Sequence, residues 1–147
     1  MPTDLSVSRC ALAAESAAMA ALDGWFTSFA TQNALPDEPA GELRVCLHEL
    51  FGNVIMHGQP KERRHAVWLT AARRGGAVIL TVEDDCLPFN PLVQPSKPPA
   101  TSLEDAEIGG LGLVLVRRFS TSLRYEFSDA KNRLVLTRLL DETGMTA

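Results

Sequence analysis

Residues 77–91 read AVILTVEDDCLPFNP, an apolar run that ends abruptly in acidic residues and a proline-containing turn. An apolar run of this length, bounded by turn residues, predicts a buried strand. Asp84 then lies at the end of that strand, beside the face of the sheet that helices are expected to cover. A buried, ionised carboxylate in this position can accept a hydrogen bond from an amine, such as the exocyclic amine of adenine. An ordinary acidic turn would show the same residues, so this stretch alone leaves both interpretations open.

The remaining sequence predicts helices and strands in the order β-α-α-β-β-loop-α-β-β. Apolar residues at helical spacing predict three helices, over residues 10–32, 41–57 and 111–119. Short β-rich runs predict five strands, over residues 3–8, 66–73, 77–82, 123–127 and 133–139. Trp25 and Trp68 lie in these periodic segments, and we expect both in the core. This order indicates an α+β fold, a two-layer α/β sandwich whose sheet is mixed but mostly antiparallel, with helices on one face.

Composition narrows the class of protein. A chain of 147 residues with a net charge of −4 predicts one domain, residues 1–147, with a core of its own. The absence of a basic stripe argues against direct nucleic-acid binding. No apolar run is long enough to cross a bilayer, so we expect no membrane association and a cytoplasmic location. Three cysteines without a paired spacing predict reduced thiols, and no zinc-ligand spacing accompanies His48, His57 or His65.

A carboxylate and an amide lie one helical turn apart on the second predicted helix. Glu49 and Asn53 are separated by four residues, at the edge of an apolar stripe. Mg²⁺ prefers oxygen ligands, and an Asn carbonyl can supply one. A carboxylate one turn away can orient or deprotonate an attacking hydroxyl or water. The same pair is common on solvated helix surfaces, so it indicates a functional site only in combination with the other motifs.

Glycines open the third predicted helix, in the stretch Gly109-Gly110-Leu111-Gly112-Leu113. Residues without side chains at a helix start allow backbone N–H groups to approach phosphate oxygens. The alternative is a flexible junction between a loop and a helix. The preceding segment, from Pro88 to Glu107, is proline-rich and acidic, which is typical of a lid or binding loop. No phosphate-binding P-loop sequence is present.

Together and in this order, the three segments resemble the N, G1 and G2 boxes of the histidine-kinase-like (GHKL) ATPase superfamily. The similarity is greatest to the anti-sigma-factor serine-protein kinases of the RsbW and SpoIIAB type. It covers roughly residues 5–140. The matching positions of the N box are Glu49, Asn53, His57 and Gly58. Those of G1 are Asp84, Asp85, Pro88, Phe89, Asn90 and Pro91. Those of G2 are Gly109, Gly110, Gly112 and Leu113, and a closing hairpin pattern matches Asn132, Leu134 and Leu136.

The resemblance implies a Bergerat-type ATP-binding fold that uses ATP and Mg²⁺, with a lid at about residues 92–108. Glu49 would be the catalytic base of a protein serine/threonine kinase, and Asn53 would bind Mg²⁺. The other residues implied to contact the nucleotide are His57, Asp84, Cys86, Phe89, Gly109, Gly110, Leu111, Gly112 and Leu113. The implied partners are a sigma factor and an anti-anti-sigma protein of the STAS type, whose serine is phosphorylated. A homodimer is also expected.

Cys86 departs from the family pattern, which has glycine at this position. A side chain there would crowd the base or require a positive φ that Cys resists. This departure favours a second hypothesis, a non-catalytic anti-sigma-type binding module with weak or no ATP turnover. A third hypothesis is the ATP-binding half of a sensor histidine kinase. It is disfavoured because the sequence before Glu49 offers no helical hairpin to carry a phosphoacceptor histidine.

Overall fold

The computed structural model describes residues 5–57, 65–93 and 111–140. Five strands form one sheet in the order β1-β2-β3-β5-β4, and all neighbouring pairs are antiparallel. The strands are β1 (Leu5–Ala13), β2 (Ala66–Arg74), β3 (Ala77–Asp84), β4 (Ser122–Ser128) and β5 (Lys131–Leu139). The α-helices of the described residues are α1 (Met19–Gln32), α2 (Asp37–His57) and α3 (Leu111–Phe119). Short 3₁₀ turns cover Ser16–Ala18 and Pro91–Val93. None of these helices is long and apolar enough to span a bilayer.

The helices cover one face of the sheet, because side chains alternate along each strand. On β3, Val78, Leu80, Val82 and Asp84 are buried, while the residues between them are partly exposed. Large apolar side chains of the helices complete the core, among them Leu22, Phe26, Phe29, Leu43, Leu47 and Phe51. The predicted two-layer α+β sandwich with helices on one face is therefore confirmed. Its sheet is antiparallel throughout the described residues, where a mixed sheet was expected.

The N-terminal boundary between strand and helix was predicted wrongly. Residues 10–13 belong to β1, and α1 begins only at Met19. The alanine-rich sequence favours a helix locally, but β1 pairs with β2 over nine residues, from Leu5 to Ala13. This pairing adds β1 to the edge of the sheet, and tertiary pairing overrides a weak local preference. The second helix also begins earlier than predicted, at Asp37, with Pro39 in its first turn, where proline is tolerated.

Trp68 is not a core residue, contrary to the prediction. Its neighbours Val67 and Leu69 are buried under the helices, so Trp68 lies on the opposite face of the sheet. The ammonium group of Lys131 lies 4.5 Å from the centre of its ring. Trp25, by contrast, packs against the core, and its indole N–H donates to Ser8 Oγ at 2.9 Å. Strand periodicity identified both faces of β2 but could not tell which face the helices cover.

Candidate functional site

A pocket lies between α2 and the helix-covered face of the sheet. Its cavity volume is about 40 Å³, and it is partly open to solvent. Its lining is mainly apolar and aromatic, with polar groups at a few points, as is usual for a small-molecule site. The lining residues are Leu50, Asn53, Val54, Val82, Asp84, Phe89, Pro91, Tyr125, Asn132 and Leu134. Two of the three predicted segments, around Asn53 and Asp84, therefore meet at one cavity.

Asp84 is the last residue of β3 and is buried in this pocket, as its position at the strand end predicted. Its Oδ1 accepts hydrogen bonds from the backbone N–H of Cys86 at 3.0 Å and from Asn132 Nδ2 at 2.8 Å. Within the described part of the chain, both bonds use the same oxygen. The other carboxylate oxygen is thus left to accept a hydrogen bond from a ligand, in a pocket that is otherwise largely apolar.

Asn132 holds the turn that follows Asp84. Its side-chain amide also donates to the carbonyl oxygen of Leu87 at 2.9 Å, and its Oδ1 accepts from the backbone N–H of Phe89 at 3.0 Å. The hydroxyl of Tyr125 donates to the same Oδ1. Burial raises the pKa of Tyr125, and the nearby Asp84 carboxylate adds to this, so the phenol stays protonated. Asn132 therefore uses all the donors and acceptors of its amide.

The position of Asn132 differs from the sequence expectation. The hairpin was predicted to turn across residues 129–132, which placed Asn132 in the loop. The observed turn consists of Asp129 and Ala130, and both have positive φ, of 55° and 61°. Strand β5 therefore begins at Lys131, and Asn132 pairs directly with Asp84 of β3. Neither Asn132 nor Tyr125 was assigned a role in the site by the sequence.

We expect Asn132→Ala to lower the free energy of unfolding by about 2 kcal/mol, because a buried carboxylate, carbonyl and N–H all lose their partner at once. Urea denaturation followed by circular dichroism measures this loss. Asn33→Ala is the matched control, since the Asn33 side chain makes one hydrogen bond, to the carbonyl of Phe29. An effect of Asn132→Ala no larger than that of Asn33→Ala would contradict a central role for Asn132.

Glu49 and Asn53 lie on the same side of α2, one turn apart, and both are partly buried. Asn53 lines the pocket and Glu49 does not; Glu49 lies one turn towards the N-terminus of the helix. An amide and a carboxylate are residue types that can serve as a magnesium ligand and as a general base. The two roles themselves stay predictions.

The backbone conformation and the position of Cys86 differ from those expected for a residue that replaces the family glycine. Its thiol is buried and does not line the pocket, and among the described residues positive φ values of non-glycine residues occur at Ala34, Asp129 and Ala130. The expected need for a positive φ at Cys86 is therefore wrong. Phe89, in contrast, does line the pocket.

Several other predicted residues are described only in part or not at all. Helix α2 ends at His57, as predicted, and Leu111, Gly112 and Leu113 form the first turn of α3. Leu113 is partly buried against the core. Gly58, Gly109, Gly110 and all of the predicted lid beyond Val93 lie outside the described residues. Their proposed contacts with phosphate stay predictions.

Comparison with known proteins agrees with this geometry. The profile of the histidine kinase-like ATPase domain family matches residues 12–138. The serine/threonine-protein kinase BtrW of Bordetella bronchiseptica is 34% identical over 108 residues, which cover 71% of this chain and 76% of that protein. An anti-sigma F factor of Oceanobacillus iheyensis is 24% identical over 96 residues, which cover 65% and 66% of the two chains.

A solved structure shows the same fold. The crystal structure of the RsbU and RsbW domains of a Mycobacterium tuberculosis protein superposes with a TM-score of 0.64 at 15% identity. The match covers 92% of this chain and 32% of that longer one, so the present chain spans about a third of it. At this identity the likeness concerns the fold alone, which is RsbW-like. The profile match covers most of the sequence and includes both segments that meet at the pocket, Glu49–Asn53 and the turn after Asp84. The chain therefore belongs to the histidine kinase-like ATPase domain family.

Proposed function

We propose that this protein is an ATP-dependent serine-protein kinase that acts as an anti-sigma factor. The observation that carries the proposal is the meeting of Asn53 and a buried Asp84 at one largely apolar pocket. Its relatives include a protein named as a serine/threonine kinase and one named as an anti-sigma factor, which supports both halves of the proposal. The transferred group would come from Mg-ATP.

The residues that line the pocket have the chemistry that an adenine base requires. A flat, mostly apolar ring system needs apolar and aromatic walls, which Leu50, Val82 and Phe89 provide. It also needs an acceptor for its amine, and Asp84 has one carboxylate oxygen that makes no hydrogen bond within the described residues. Asn132 holds the other oxygen of Asp84 in place, so the carboxylate is oriented before a ligand arrives. Such preorganisation lowers the entropic cost of binding.

Asn53 and Glu49 supply the remaining functions on α2. The Asn53 amide oxygen, at the rim of the pocket, would ligate Mg²⁺. Glu49 would accept the proton of the serine hydroxyl as the phosphoryl group is transferred. Both residues are on a helix that packs into the core through Leu47 and Leu50. A base fixed on a rigid element keeps the geometry that phosphoryl transfer requires, because this reaction depends mainly on positioning.

The proposed partners are proteins. We infer a sigma factor, which the protein would hold, and a STAS-type anti-anti-sigma protein, whose serine it would phosphorylate. We also infer a homodimer, and a cytoplasmic location in keeping with these partners. A non-catalytic binding module is the second candidate. The one observation in its favour, Cys86 in place of glycine, loses weight because Cys86 has no positive φ and does not line the pocket.

A phosphotransfer assay tests the proposal. The purified chain is mixed with Mg-ATP labelled on the γ-phosphate and with the STAS-domain proteins of its own organism. We expect acid-stable label on a serine of one partner, located by mass spectrometry, and saturable Mg-ATP binding by calorimetry. Partner binding without label would favour the non-catalytic module. Acid-labile label on a histidine of this chain would favour the sensor-kinase hypothesis.

A further inference from the structure

A histidine, a carboxylate and a thiol converge beside the turn after β3. One ring nitrogen of His65, one carboxylate oxygen of Asp85 and the Sγ of Cys86 all lie within 4.8 Å of one another. His65 and Cys86 are both buried, at 4% exposure, and Asp85 is partly exposed. The cluster is distinct from the pocket described above, because none of the three residues lines it.

No sequence spacing could have shown this cluster, since His65 lies twenty residues before Asp85. The antiparallel pairing of β2 with β3 brings them together, because Val67 is paired with Asp84. His65 directly precedes β2, and Asp85 and Cys86 directly follow β3. The lack of a zinc-ligand spacing around His65 in the sequence therefore does not exclude such a group in the folded chain.

One ring nitrogen of His65 has no hydrogen-bond partner among the described residues. Its Nδ1 lies 3.0 Å from Asp85 Oδ1, which also accepts from the backbone N–H of Ala66 at 3.2 Å. A carboxylate can only accept, so Nδ1 donates this hydrogen bond. Of the buried side-chain nitrogen and oxygen atoms in the described segments, His65 Nε2 is the one without a hydrogen-bond partner. With the ring proton on Nε2 instead, Nδ1 has a lone pair for an ion next to Asp85.

We propose that His65, Asp85 and Cys86 form a Zn²⁺ site, with water completing the coordination. Imidazole, carboxylate and thiolate are the three ligand types that Zn²⁺ takes in proteins. The sulfur disfavours Mg²⁺ and Ca²⁺, which require oxygen ligands. His65 Nδ1 and Asp85 Oδ1 lie 3.0 Å apart, so an ion bound by both takes the place of the proton between them.

A dication here would also stabilise the turn that borders the nucleotide pocket. Asp84 and Asp85 are adjacent carboxylates, and Asp84 is buried. A positive ion on the Asp85 side would reduce their repulsion. The backbone N–H of Cys86 donates to Asp84 Oδ1, so fixing the Cys86 side chain fixes a partner of Asp84 as well. The metal would thus connect β2 to the loop after β3.

Cobalt spectroscopy tests the proposal without nucleotide. The full chain, freed of metal by a chelator, is titrated with Co²⁺ under anaerobic conditions. We expect one equivalent to produce a thiolate-to-cobalt charge-transfer band and the visible bands of tetrahedral Co²⁺, and Zn²⁺ to abolish both. Cys86→Ser should remove the charge-transfer band. Cys86→Ser and His65→Gln should each weaken binding at least as much as loss of an outer-shell partner does, about 10–100-fold.

Cys10→Ser is the matched control, because it removes a thiol on β1 outside the cluster. It should leave the bands intact. Cys46 cannot substitute, since it lies on α2 and is not one of the clustered residues. X-ray absorption on the Zn²⁺-loaded wild type needs no variant and should find one sulfur at about 2.3 Å. Absence of the charge-transfer band, its persistence in Cys86→Ser, or a zinc shell without sulfur would each overturn the proposal, whatever the outcome of the kinase assay.

Discussion

Asp84→Asn should lower the affinity for Mg-ATP by about 100-fold while leaving the chain folded. A hydrogen bond to an ionised group contributes roughly 1.5–3 kcal/mol, which corresponds to about 10–150-fold in binding. The variant replaces that acceptor with an NH₂ group facing the amine of adenine, so two donors meet in a largely apolar pocket. The upper part of the range is therefore expected. Calorimetric titration with Mg-ATP measures the change.

The same substitution preserves the internal contacts of Asp84. Its Oδ1 accepts from the Cys86 N–H and from Asn132 Nδ2, and the carbonyl oxygen of an Asn can accept both. The fold and the turn should therefore persist, which circular dichroism and the melting temperature would show. Asp129→Asn is the matched control, because it removes the same charge from an exposed hairpin turn. It should bind Mg-ATP like the wild type.

A change of base makes the test more specific. Inosine triphosphate carries a carbonyl oxygen where adenosine triphosphate carries the amine, just as guanine differs from adenine at this position. The amide NH₂ of Asp84→Asn can donate to that oxygen, so the preference for ATP over inosine triphosphate should narrow or reverse. A uniform loss of affinity for both nucleotides would indicate that the substitution disturbs the pocket in general. Unchanged ATP affinity would remove Asp84 from adenine recognition.

The sequence predicted those parts of the fold that local patterns determine. Strands β2, β3 and β5 and helices α2 and α3 lie close to their predicted bounds, because alternation and helical stripes are strong where one face is buried. Residues 10–18 were assigned to a helix because their preference is helical, whereas β1 follows its pairing partner, which lies more than fifty residues away. A local sequence preference contains no information about a pairing partner so far away in the chain.

In the candidate site, too, the sequence predicted the residues that belong to local motifs and missed those that depend on distant partners. Asp84, Asn53 and Phe89 were found because each belongs to a short motif on a predictable element, and all three line the pocket. Asn132 makes its hydrogen bond to Asp84 across 48 residues, and its importance comes from four partners that no single window contains. The approach of His65 to Cys86 depends likewise on the register of β2 and β3. Sequence motifs identify such residues only when their partners are near in the chain.

Glu49→Gln should reduce phosphoryl transfer to a protein serine by about 10²–10⁴-fold, the usual contribution of a positioned general base. Gln keeps the size and polarity of Glu but cannot take up the proton of the hydroxyl. Glu49 does not line the pocket, so affinity for Mg-ATP should stay within about threefold of the wild type, the ordinary range for a surface substitution. The labelling rate is measured at saturating Mg-ATP. Calorimetry measures the affinity for Mg-ATP and the affinity for the partner protein.

Measuring the labelling rate separately from the two affinities distinguishes the proposed kinase from a binding module. If Glu49 acts only in the chemical step, Glu49→Gln and Glu49→Ala should both lose labelling while each still binds the partner protein and Mg-ATP. Glu38→Gln is the matched control, since Glu38 lies exposed in the first turn of the same helix, and its labelling rate should be unchanged. A labelling rate of Glu49→Gln equal to that of Glu38→Gln would exclude Glu49 as the base. Loss of nucleotide binding in Glu49→Gln would instead assign the residue to the pocket, since the chemical step alone cannot alter affinity.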